Sequence, residues 1–187
     1  MLISCNSEED LVFQTGLTKQ NIDHDGLKRE FNLYVPTVYS SSVKHPILFN
    51  LHGGASTAQA YMEYVSDMRS IAENENFILV YPQATSDSSG NPTWHLGGEN
   101  SISTEVDDVG FIGKIIDDLS SIYSIDQTRV YVIGFSNEAY FQGHPELNAY
   151  LKENYNKKVK SEYSLDLNKV IQKDSTTYSM EQGPDWL

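Results

Sequence analysis

Ser136 is placed where a hydroxyl can act as a nucleophile. It follows residues 130–135, Val-Tyr-Val-Ile-Gly-Phe, which read as a buried strand (130–133) running into a tight turn. A strand that ends in a sharp reversal at a serine projects the hydroxyl over the end of a sheet, as in the G-x-S-x-G elbow. Gly134 and Ser136 match that pattern, and Glu138 stands where its second glycine would be. A second feature complements the first. His52-Gly53-Gly54 directly follows the apolar run 46–51. Glycines after a buried strand allow a backbone whose N–H groups face outward, and such amides stabilise a developing oxyanion. Alone, His-Gly-Gly reads as an ordinary turn; paired with Ser136, the oxyanion reading is the better one. His52 is expected to shape this loop rather than to serve as a base.

Other residues carry weaker signals. Trp94 and His95 lie in a long loop, 83–100, rich in Ser, Asp, Gly and Asn. Trp94 suits stacking on a sugar or aromatic group of a substrate, with His95 beside it, and suits equally well packing the loop onto the domain. Asp107 and Asp108 open a helical pattern and read as caps that complement the helix dipole rather than as catalysts. His24, in the turn-like 21–26, reads as a solvated loop residue. Cys5 is the one cysteine, so no intrachain disulfide can form. Residues 2–5, Leu-Ile-Ser-Cys, resemble a bacterial lipobox, and the acidic stretch after them resembles a surface tether. That reading makes Cys5 a lipidation site and the protein extracellular or bound to the bacterial cell surface. The other reading is a free thiol in a frayed terminus. The charged and apolar regions of a signal peptide are missing, so the chain as written is not expected to be exported.

These residues need elements to hold them. The 187 residues suit one domain, with 39% hydrophobic content and a formal net charge of −13. The acidic balance argues against nucleic acid as a partner, which would need phosphates neutralised. No apolar run approaches a membrane span, so any membrane contact would come through a lipid anchor. Residues 30–35 alternate like an early antiparallel strand. Runs 46–51 and 77–81 are near-continuously apolar, as in strands covered on both faces. Residues 56–74 have helical spacing. A second helix runs to 123, with Phe111, Ile112, Ile115, Ile116, Leu119 and Ile122 as its buried stripe. Strands alternating with helices imply a mainly parallel sheet flanked by helices, an α/β fold.

The ordered set of His52-Gly53-Gly54, the Val-Asp-Asp-Val start at 106–109, Ile125-Asp126 with Arg129-Val130-Tyr131, and Gly134-Phe135-Ser136-Asn137 resembles the secreted polyhydroxybutyrate depolymerase and feruloyl esterase-like α/β-hydrolases, a group that includes carbohydrate esterases related to acetylxylan esterases. The match covers residues 30–137. The resemblance implies carboxylic-ester hydrolysis, with Ser136 as nucleophile and the backbone N–H groups of Gly54 and Asn137 as the oxyanion hole. It implies no metal and no organic cofactor. The substrate class would be an ester derived from plant polysaccharide or polyester.

The pattern then departs from the family. Glycine is expected at 138, where helix and strand approach closely; Glu138 adds a Cβ and a charge of the wrong sign for an oxyanion. The family order is Ser, Asp, His, yet the one histidine after Ser136 is His144, and Asp166, Asp174 and Asp185 all follow it. His144 could act as base only in an unrelated geometry and reads better as a turn residue before Pro145. The organisation expected is a tether and loop (1–27), a hydrolase N-terminal half (28–137) and an atypical tail (138–187) that does not continue the family pattern. Within that tail, 146–160 is helix-compatible, with Leu147, Tyr150, Leu151 and Tyr155 on one side. Two functions follow: a serine esterase of this type, or a catalytically incomplete hydrolase remnant that binds or is displayed.

Overall fold

The computed structural model describes residues 13–95, 106–134 and 145–155. The central sheet has five strands: β1 (Gly16–His24), β2 (Leu27–Val35), β3 (His45–Leu51), β4 (Ile78–Pro82) and, much later in the chain, β7 (Ile125–Gly134). Their spatial order is β1-β2-β4-β3-β7. Strands β4, β3 and β7 are parallel, while β2 runs antiparallel to β4 and forms a hairpin with β1. The expected α/β sheet is thus present, with an antiparallel hairpin on one side.

Helices α1 (Ala58–Tyr64) and α2 (Arg69–Glu75) link β3 to β4. A small ribbon, β5 (Thr85–Ser86) with β6 (Pro92–Thr93), and helix α3 (Asp108–Ile122) lead from β4 to β7; α4 (Pro145–Asn154) follows. Every residue of β3 and β4 is buried, because side chains alternate between two covered faces. Ile47, Phe49, Leu51, Ile78 and Val80 pack under α3 and α4. Leu48, Leu79 and Tyr81 pack under α1 and α2. The sheet is therefore the middle of three layers.

Three local readings are corrected by the structure. The segment before residue 27 is not mainly loop: β1 occupies Gly16–His24, and only Asp25 and Gly26 make the turn, at φ 49° and 76°. Two successive left-handed residues match the twist of a tight hairpin. His24 is accordingly no solvated loop residue; its side chain is 14% exposed and Nε2 lies 3.0 Å from the Asp107 carbonyl oxygen. The expected single helix over 56–74 is two helices, broken where the Asn50 side chain donates to Ser66 Oγ and Tyr81 donates to the Ser66 carbonyl. Asn76 ends α2 in the left-handed conformation, a common helix stop.

In the tail, α4 packs Leu147, Leu151 and the following Tyr155 into the larger core. Tyr155 donates to the Gly113 carbonyl at 3.2 Å, and a Cβ on Gly113 would collide with the Tyr150 hydroxyl. Glycine is what lets α3 and α4 approach here. No helix among the described residues is long and apolar enough to cross a membrane.

Candidate active site

Parallel pairing sets the site. β3 and β7 are neighbours, with Phe49 opposite Val132, Asn50 opposite Ile133 and Leu51 opposite Gly134. The chain therefore leaves both strands at the same end of the sheet and in the same register. His52-Gly53-Gly54 emerges from β3, and β7 ends at Gly134, two residues before Ser136 in the sequence. The strand order also reverses about β3, since β4 lies on one side and β7 on the other. In open α/β sheets, ligand crevices form outside the carboxyl ends of strands at such a reversal. Ser136, Asn137, Glu138 and His144 lie outside the described residues, as does Cys5.

The turn after β3 is held tightly on the protein side. His52 is fully buried. Its Nε2 accepts from the Ala84 backbone N–H at 3.1 Å, with the Gln83 side-chain amide 3.2 Å away. An accepting Nε2 leaves the proton on Nδ1, which donates to the Gly53 carbonyl at 2.9 Å. Burial pushes the His52 pKa below its ordinary value of 6.5, so the ring is neutral. With both ring nitrogens engaged, His52 shapes the loop and has no free nitrogen for proton transfer. His45, at the opposite end of β3, has its ring nitrogens 3.2 and 2.8 Å from the carbonyl oxygens of Asn76 and Ser40.

The rest of the turn carries one strained residue. The left-handed backbone falls not on Gly53 or Gly54 but on Ala55, at φ 57°. The Ala55 N–H donates to Pro92 at 3.0 Å, and the Ser56 N–H donates to Gly53 at 3.1 Å. Gly54 is exposed, and its N–H has no hydrogen bond among the described residues. A strained residue persists where its surroundings over-determine it, and such sites cluster at functional loops.

Trp94 is 6% exposed and its indole N–H donates to the His52 carbonyl at 3.0 Å. The ring lies against His52, with centroids 5.3 Å apart. This contact ties the long loop to the turn. His95 is also buried, and its backbone N–H donates to Asp108 Oδ2 at 2.6 Å.

The two aspartates have different roles. Asp107 is the helix cap, accepting from the Gly110 N–H at 2.7 Å. Asp108 is not simply a dipole partner. It is fully buried and pairs with Arg29 of β2 at 2.5 Å. Burial raises its carboxyl pKa, and the adjacent Arg29 guanidinium pulls the other way. Arg29 also lies over the Phe111 ring, 3.9 Å from its centroid, and donates to the Gln83 carbonyl at 3.3 Å. Sequence reasoning missed Arg29. Its one signal is a charge at an inward-facing position, two before Phe31, in an otherwise apolar strand face.

His24, Asp25 and Asp107 bring metal-type ligand atoms within 4.8 Å of one another. Their committed hydrogen bonds make the group a clasp between the β1–β2 hairpin and α3. The cleft of about 520 Å³ lies elsewhere, at the amino end of β7, lined by Lys44, Asp126, Thr128 and Tyr155. That is the end opposite the carboxyl ends of the strands, where ligand crevices form in open α/β sheets.

No family model matches the chain. Among curated proteins it is 29% identical over 119 residues to the bifunctional acetylxylan esterase/xylanase XynS20E of Neocallimastix patriciarum, a match covering 64% of this chain and 16% of that protein. It is 30% identical over 95 residues to poly(3-hydroxyalkanoate) depolymerase C of Paucimonas lemoignei, covering 51% of this chain and 22% of that one. The chain thus spans less than a quarter of either relative's length. Among solved structures, native sOPH aligns with a TM-score of 0.53 at 14% identity, over 77% of this chain and 48% of that one. Native pOPH aligns at 0.50 and 18% identity, over 67% and 44%. Likeness at that identity speaks to the fold. The chain carries an α/β-hydrolase fold and is a homologue of proteins named acetylxylan esterase and polyhydroxyalkanoate depolymerase.

Proposed function

We propose that this chain hydrolyses carboxylic esters through an acyl-enzyme on Ser136. The observation that carries the reading is the register of Leu51 against Gly134. Adjacent strands lie about 4.8 Å apart, and Ser136 is two peptide units past Gly134, within about 7 Å along the chain. That distance is compatible with a nucleophile facing the Gly54 amide. The sequence relationship to an acetylxylan esterase and a polyester depolymerase supports the same chemistry.

In this mechanism the Ser136 oxygen attacks the ester carbonyl carbon and gives up its proton to a base. The N–H groups of Gly54 and Asn137 hold the tetrahedral oxyanion. The C–O bond to the alcohol breaks, the alcohol takes a proton, and water then cleaves the acyl-enzyme. His52 is excluded as the base by its committed ring nitrogens, and His45 by its place at the amino end of β3. His144 is the candidate downstream of Ser136. The substrate is an ester of plant-polysaccharide or polyester origin.

Turnover of p-nitrophenyl acetate by the full chain tests this, with Ser136→Ala as the control. Hydrolysis is expected in the parent and lost in the variant; equal rates overturn the reading. A second reading, a catalytically incomplete binding protein, is favoured by Glu138 in place of glycine. A fluorophosphonate probe separates the two, because only an activated serine is labelled.

A further inference from the structure

We infer that Arg29 and Asp108 are positioning residues for the diglycine turn: a buried ion pair that acts through His52 to aim the Gly54 N–H. The inference rests on the oxyanion reading of that turn. A buried ion pair is a poor device for stability, since an apolar pair of the same volume often serves as well. What this pair touches is therefore informative.

Two chains of hydrogen bonds run from it, and both end on His52. The first starts at Asp108 Oδ2, which holds the His95 N–H at 2.6 Å; the preceding Trp94 donates its indole N–H to the His52 carbonyl at 3.0 Å. The second starts at Arg29 Nη2, which holds the Gln83 carbonyl at 3.3 Å. Gln83 and Ala84 then meet His52 Nε2, at 3.2 and 3.1 Å. The Gln83 side chain also accepts from the Ala58 N–H at 2.9 Å, which ties in the start of α1. One route fixes the His52 backbone and the other fixes its ring. The ring in turn holds the Gly53 carbonyl, which shares one planar peptide unit with the Gly54 N–H. The peptide plane cannot rotate without breaking one of these bonds, and the left-handed Ala55 that follows is held by its own N–H bond to the Pro92 carbonyl.

Oxyanion donors act by being fixed before reaction, and losing one costs roughly 100- to 1,000-fold in kcat. Loosening one should cost less. Asp108→Asn keeps the shape but cannot serve both Arg29 and His95 as a carboxylate does. Trp94→Phe keeps an aromatic side chain and removes the indole bond to the His52 carbonyl, so it serves where Asp108→Asn folds poorly. In either variant, amide exchange measured by NMR is expected to rise at least tenfold at Ala55, Ser56 and Ala84. Exchange at Phe49 and Val80, inside the sheet, should change less than twofold. With p-nitrophenyl acetate, kcat should fall about 10- to 100-fold with KM within about twofold, because the donor acts on the transition state. A pair that merely stabilises the fold would raise exchange at all five amides together and leave kcat unaltered below the unfolding transition. Either of those results overturns the inference. If the parent chain proves inactive, the ester reading fails, and the exchange pattern alone still decides whether this pair holds the turn.

Discussion

The two ends of the β3–β7 pair solve the problem of polar groups differently. At the carboxyl end, Arg29, Asp108, His52 and the indole of Trp94 are removed from water and bonded in two pairs, Arg29 with Asp108 and Trp94 with His52. At the amino end, Asp126 and Arg129 pair at 2.7 Å with side chains 20% and 32% exposed, beside an open cleft. A partly exposed pair keeps some contact with water and contributes less, whereas a buried charge that loses its partner is costly. Rigidity is concentrated where the oxyanion reading needs a fixed amide. The cleft of about 520 Å³ lies at the end that does not need one.

The comparison can be broken most sharply by activity. Ser136→Ala should lower p-nitrophenyl acetate turnover by at least about 10,000-fold, as removal of a nucleophile does elsewhere. Thr128→Ala, in the amino-end cleft, should leave the rate within about twofold. A reversed pattern would move the active site to the other end of the sheet. Stability is the next largest contrast. Asp108→Ala strands the buried Arg29 and should cost about 3–5 kcal/mol in urea unfolding, while Asp126→Ala should cost under about 1 kcal/mol. Similar losses at both ends would show that burial does not separate them.

A smaller effect is expected from pH. The folded pKa of His52 is depressed by burial below 6.5. The unfolded chain therefore binds the proton more readily. The contribution of His52 is fully present above about pH 6.5 and is lost as pH falls towards the folded pKa, by up to about 1.4 kcal/mol per pH unit. His52→Gln should remove that part of the acid limb in urea titrations between pH 5 and 6.5. An unchanged slope would mean that His52 is charged or accessible in the folded state.

Much of the frame was legible because its cause is local. Run 77–81 is apolar at every position and run 46–51 at all but Asn50, as in strands covered on both faces. The stripe from Phe111 to Leu119 has one period and one buried face. The strand β1 was not legible for an equally local reason. Its half-buried positions hold Gly16, Thr18, Gln20, Ile22 and His24, so hydropathy does not alternate although burial does. Only the Asp25-Gly26 turn marked it. The break between α1 and α2 was hidden because its cause, the hydroxyl of Tyr81 bonded to Ser66 and Met68, lies in another strand.

The site divides along the same line. A serine after a strand, a diglycine after another and their order along the chain are properties of the sequence, since each depends on residues within a few positions. The alignment of Leu51 with Gly134, 83 residues apart by number, exists only through the β3–β7 ladder. The partnership of Arg29 with Asp108, and the change of Asp108 from a cap to a buried charge, exist only because β2 and the start of α3 meet in the core. Short-range patterns select elements through backbone geometry and burial period. Which charge meets which carboxylate is decided by packing, and no local pattern encodes it.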